Sequence, residues 1–150
     1  YNNGELSLPE NEQRGDYDAI RNYMWIGMSH KVDPIANSLL KQLSPTVALL
    51  LRRQAMPEWF EPTSGRVSAQ AGPPGFQAAA APFMMAAGAP DLAKKLSAKA
   101  LRSAKQEDWL TYGYYNGALS LFAQGYSDQL YRFNMQGELM PRGKEVPSCD

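Results

Sequence analysis

One cysteine and one histidine are all that this 150-residue chain holds of the commonest soft and nitrogen ligands. Cys149 and His30 cannot make a Cys/His zinc site, an internal disulfide framework, or a Cys–His dyad at workable spacing. No residue cluster asks for a metal or any other cofactor. An excess of one charge is also lacking. Fifteen Lys plus Arg balance fifteen Asp plus Glu, so no net field gathers phosphates, and nucleic acid is not an expected partner. Nor is there an apolar run of about 18 residues, the length a membrane span requires. Val47–Leu51 is too short, and Pro82 interrupts Ala78–Ala87. Polar chemistry is left to carboxylates, Tyr and Arg. The chain opens at Tyr1 with a polar stretch to Gly15 and no basic region followed by an apolar one. It reads as an excised or truncated piece, which leaves the compartment open.

What is present is 44% apolar and 11% aromatic residues, enough for one domain with a core. Asp16, an N-cap candidate, followed by Ile20, Met24 and Gly27/Met28 predicts a helix over about 17–29, with Asp18 in its positive first turn. Asp33-Pro34 starts a second helix, whose stripe is Ile35, Leu39, Leu40 and Leu43. Ser44-Pro45 interrupts it before a third over about 46–54. Two β-prone runs, Trp59–Glu61 and Arg66–Ser68, flank Pro62–Gly65 and predict a hairpin within a loop. An alanine-rich helix over 75–87, stopped by Gly88, has side chains small enough for close helix approach. A fifth helix covers 91–105, with Leu92, Leu96, Ala100 and Leu101 inside and its lysines outside. A sixth covers about 112–124, with Tyr115, Ala118, Leu119 and Phe122 buried. Around Gly137 a short strand pair or extended end closes the pattern.

The run Asp16-Tyr17-Asp18-Ala19-Ile20-Arg21-Asn22-Tyr23-Met24-Trp25-Ile26-Gly27-Met28 resembles a catalytic segment of family 8 glycoside hydrolases. Pro74–Ala79 to Pro82-Phe83, Tyr114–Asn116 to Leu119–Gly125, and Tyr131–Phe133 to Gly137–Pro141 are similar to that family in the same order. Within it the likeness is to the periplasmic endoglucanases that accompany bacterial cellulose synthase. The resemblance implies an all-α fold: part of an (α/α)6 barrel, about half of its twelve helices, with a short β-hairpin loop. It matches the C-terminal half of the family's catalytic domain. It also implies hydrolysis of β-1,4-glucan with inversion, one carboxylic acid protonating the leaving oxygen and one carboxylate activating water. Asp18 matches the base. The segment carrying the acid, a glutamate, has no counterpart, so this chain alone is expected to be nearly inert. A periplasmic or secreted location and a cellulose synthase complex as partner follow from the same likeness. So does the idea that Cys149 pairs with a cysteine outside this sequence.

Each assignment has a plainer reading beside it. Asp18 taken alone is an acid at a helix start, and Arg21 a surface ion-pair partner for it. Tyr17 is assigned to a cleft and Trp25 to the core. Trp59 is either a sugar platform or a hydrophobic staple under the hairpin, and the cluster Tyr112, Tyr114 and Tyr115 either meets glucan hydroxyls or packs. Glu58, Glu61, Glu107, Asp108 and Glu138 carry no mark of a substitute acid, and His30 reads as a helix C-terminal cap. The candidate site is therefore Asp18 as the catalytic residue with Tyr17, Arg21, Trp59 and Tyr114 binding substrate. A different class of protein remains open: a non-catalytic helical module that holds glucan or a synthase component. Half a barrel further predicts an exposed apolar wall, since each large side chain left uncovered forgoes about 1.5 to 3 kcal/mol.

Overall fold

The computed structural model describes residues 14–29, 31–61, 64–106 and 113–143. His30, Glu107, Asp108, Tyr112 and Cys149 lie outside them. The described residues form an all-α fold with a short antiparallel strand pair near its end. Its elements are α1 (Ile20–Met28), α2 (Pro34–Gln42), α3 (Ser44–Arg53), α4 (Pro74–Ala86), α5 (Pro90–Gln106), α6 (Tyr114–Ser127), β1 (Tyr131–Phe133) and β2 (Leu139–Pro141). Among the described residues no helix is long and apolar enough to cross a membrane.

The centre is α4. Every residue from Gly75 to Met84 is buried, and α1, α5 and α6 pack around it. Its alanines allow that crowding, as their small size predicted. The α1 backbone comes so near that a Cβ on Gly27 would lie 2.3 Å from the Phe83 nitrogen. Pro82 sits inside the helix and removes one ladder donor, yet the helix continues to Ala86 because its surroundings hold it. Gly88, at φ +80°, ends it. The Asp33 carboxylate caps α2, accepting from the backbone N–H of Ile35 (2.8 Å) and Ala36 (3.3 Å).

Several expectations need correction. Asp16 and Asp18 do not enter α1. Residues 16–19 form a turn ahead of it, and Ala19 stands at the cap with no side-chain bond. The cause is the neighbouring backbone: Gly15 pairs with Phe60 in an antiparallel bridge, N–H to carbonyl at 2.7 and 3.1 Å, so the chain enters extended. The break expected at Ser44-Pro45 is present: α2 ends at Gln42, and Pro45 stands in the first turn of α3, where a missing N–H costs nothing. Ile35, Leu101 and Phe122 are exposed rather than buried. Trp25, assigned to the core, is 42% exposed and belongs to a surface aromatic cluster with Phe122 (ring centroids 5.8 Å) and Phe133 (6.2 Å).

The hairpin expected over 59–68 is present as the isolated bridges Phe60–Val67 and Pro57–Ala71. The strand pair around Gly137 is regular, with Tyr131 opposite Pro141 and Phe133 opposite Leu139. The predicted apolar wall is there too. Tyr114, Leu121, Phe122 and Leu130 are exposed along α6 and just beyond it, and they line a groove of about 490 Å³.

Candidate active site

The N-terminal ends of α1, α4 and α6 meet. Asn116 Oδ1, in the first turn of α6, accepts from the Gly75 N–H at 2.9 Å and so satisfies an orphan donor of α4. Phe76, one residue further along α4, takes the Tyr17 ring edge-on at 4.8 Å. Tyr115 of α6 donates its hydroxyl to the Tyr17 carbonyl at 2.6 Å, and the two rings lie 5.9 Å apart. The turn carrying Asp18 therefore rests on the starts of two buried helices and leads into a third. The positive ends of three helix dipoles gather beneath it.

Asp18 itself projects into solvent, its side chain 97% exposed. Arg21 Nη2 donates to Asp18 Oδ1 at 3.1 Å, the i,i+3 pairing that the sequence suggested. Such an exposed pair orients more than it stabilises. Burial pushes the Tyr115 hydroxyl above its ordinary range; the Arg21 charge pulls it down and that of Asp18 pushes it up. Tyr115 consequently stays protonated and remains a donor at neutral pH. Tyr114, assigned from sequence to the substrate, points away into solvent at 84% exposure and lines the α6 groove.

Trp59 is half-buried and neither open platform nor simple staple. The Arg14 guanidinium covers one face of its indole at 4.3 Å from the ring centre. Arg14 also reaches Glu61 Oε1 (3.3 Å), and Arg66 stands 3.7 Å from Oε2. The Ser64 hydroxyl bond and these two cations hold the Glu61 carboxyl below its usual range. A general acid is favoured by the opposite shift, so nothing around Glu61 marks it as a substitute acid. Glu138 accepts from Asn134 Nδ2 at 2.7 Å inside the β turn. Among the described residues no group of three His, Cys, Asp or Glu could hold a metal ion.

Sequence reading missed Phe76 as a site residue and, of the tyrosine cluster ahead of the last helix, chose Tyr114 rather than Tyr115. The Tyr114-Tyr115 doublet gave a partial signal, because two adjacent helical positions lie about 100° apart and only one can face α1.

The class defined by this architecture is the helical fold of an endoglucanase, present in part. It superposes on the crystal structure of endo-1,4-D-glucanase from Vibrio fischeri with a TM-score of 0.77 and 28% identity, covering 91% of this chain and 39% of that one. Among curated proteins, the endoglucanase of Xanthomonas axonopodis pv. citri is 36% identical over 141 residues, 94% of this chain and 36% of its own. That of Pseudomonas fluorescens is 38% identical over 145 residues (86% and 35%), and that of Escherichia coli 33% identical over 127 (83% and 32%). The chain spans about a third of the length of these relatives. No family model matches it.

Proposed function

We propose that the chain is the base-bearing part of an inverting endo-β-1,4-glucanase of glycoside hydrolase family 8, matching the C-terminal half of that family's catalytic domain. Asp18 takes a proton from water as the water oxygen attacks the anomeric carbon. A glutamic acid supplied by the rest of the complete gene product protonates the departing sugar oxygen from the opposite face. The pair must stand about 6.5 to 9.5 Å apart to leave room for that water. The observation that carries this reading is a water-exposed carboxylate, oriented by Arg21, on a turn anchored to buried helices. A base of this kind needs access to water and a fixed direction, and the turn supplies both. Tyr17 and Arg21 line the approach of the glucan. Trp59, half-buried under Arg14, is the remaining candidate for a sugar contact. Tyr114, turned into solvent, contacts only a chain that runs beyond this turn. The likeness to endoglucanases supports the substrate class; the periplasmic location and association with cellulose synthesis rest on the motif resemblance.

Carboxymethyl-cellulose hydrolysis by the complete gene product tests the assignment. Asp18→Asn keeps the shape and removes the proton acceptor, so the rate should fall about 10² to 10⁴-fold while the protein stays folded. Undiminished turnover would remove Asp18 from the mechanism. Inversion has its own readout: the first product seen by proton NMR from a β-linked oligosaccharide should be the α-anomer.

A further inference from the structure

The Asp18 side chain is solvated and has Arg21, itself half exposed, as its ion-pair partner, so a side-chain contact alone orients it only loosely. Its direction must come from the backbone of residues 16–19. The carbonyls of Asp16 and Ala19 accept from the N–H groups of Ile20 and Asn22, each at 3.0 Å, where the turn runs into α1, but on the Tyr17–Asp18 peptide itself the turn places one long bond, from the Asp18 N–H to Asp16 Oδ1 at 3.4 Å. Two external anchors are present. The Gly15–Phe60 bridge pins the entry to the turn, and there is no room for a side chain at Gly15, where a Cβ would lie 2.8 Å from the Phe60 ring. The second is the 2.6 Å bond from the Tyr115 hydroxyl to the Tyr17 carbonyl. That carbonyl shares one rigid peptide plane with the Asp18 N–H. Tilting the plane swings the Cα–Cβ bond of Asp18, so a hydrogen bond on the oxygen edge fixes where the carboxylate points.

We propose that Tyr115 is a positioning residue for the base, its hydroxyl clamping the Tyr17–Asp18 peptide so that the Asp18 carboxylate meets the attacking water in line. The inference rests on the reading of Asp18 as the base. Tyr115 suits the task because it stands on α6, which packs against the buried α4, and therefore ties a mobile kind of element to a rigid one. Arg21 cannot replace the clamp, since it holds the carboxylate oxygen and not the backbone from which the carboxylate hangs.

Tyr115→Phe in the complete gene product removes one oxygen and keeps the ring. On cello-oligosaccharides kcat should fall about 10- to 10²-fold, the scale of a misplaced reacting group, with KM nearly unchanged and the unfolding temperature close to the parent's. The same change in the Asp18→Asn background should leave the residual rate as it was, because nothing remains to be aimed. A parental kcat for Tyr115→Phe, or an equal loss in both backgrounds, would overturn the clamp. The two failures are distinguishable. An inactive Asp18→Asn beside an unaffected Tyr115→Phe leaves the base standing and removes the clamp; an active Asp18→Asn removes both.

Discussion

Gln77 shows how much a single polar side chain holds in this fold. It is buried among alanines and an aromatic ring, and all its polar capacity goes to backbone. Its Oε1 accepts from the Met56 N–H at 2.9 Å; its Nε2 donates to the carbonyls of Met56 (2.8 Å) and Gly72 (2.9 Å). The loop between α3 and α4 is thereby tied to α4, and that loop presents Phe60 to Gly15. Gln77→Leu conserves bulk but strands the Met56 N–H and the Gly72 carbonyl, each at a cost of about 1 to 3 kcal/mol. Urea unfolding should show a loss of about 2 to 5 kcal/mol, and a midpoint equal to the parent's would contradict this account. At this scale the sequence was legible where chemistry is local. Asp18 and Arg21 meet because they stand three residues apart, Asp18 on the turn and Arg21 in the first turn of α1, a separation short enough for spacing to report. Gln77 and Tyr115 act on residues 21 and 98 positions away, and no spacing rule reports that.

At the scale of elements, cap and proline signals located most helices to within a few residues, while α1 began late. The sequence from Asp16 has the form of a capped start, but the bridge to Phe60 arrives from another part of the chain and holds Gly15 extended. A partner strand segment outranks a local cap here because its two backbone bonds are made regardless of the side chains nearby. The site owes its form to that override: a carboxylate left on a turn rather than laid along a helix. Helix contact gives the sharpest prediction. Gly27 faces the Pro82–Phe83 backbone, with a hypothetical Cβ 2.4 Å from the Pro82 carbonyl carbon and 2.3 Å from the Phe83 nitrogen. These are backbone atoms that cannot rotate aside. Gly27→Ala must push α1 from α4 despite its better helix propensity, and overpacking of this kind costs about 1 to 3 kcal/mol or more. Thermal unfolding should shift down; an upward shift would mean that propensity governs and that the helices have room to part.

Two helices differ in how they face the outside of the molecule. In α5, Leu92, Leu96 and Ala100 turn inward and Lys94 and Lys95 outward, so apart from the partly exposed Leu101 its outer face is polar. In α6 the inward face, with the buried Leu119 and Ala123, packs on α4, yet the side with Gly125 carries Leu121, 71% exposed, and Phe122 stands exposed next to it. With Leu130 and Tyr131 they enclose the groove of about 490 Å³. A helix apolar on both sides has the pattern of a buried element, and a contiguous apolar surface of this kind drives association. Period alone marked Phe122 for the core because hydrophobic spacing tells which residues avoid water, not whether this stretch of sequence supplies their cover. The 150-residue chain should therefore self-associate as its concentration rises in sedimentation velocity. Leu121→Glu should shift it toward monomer while changing its stability by no more than about 0.5 kcal/mol, since the side chain holds nothing in the fold. A parent chain monomeric at every concentration would show that the face is tolerated by water as it stands; a Leu121→Glu variant that unfolds would show that Leu121 supports α6 from outside.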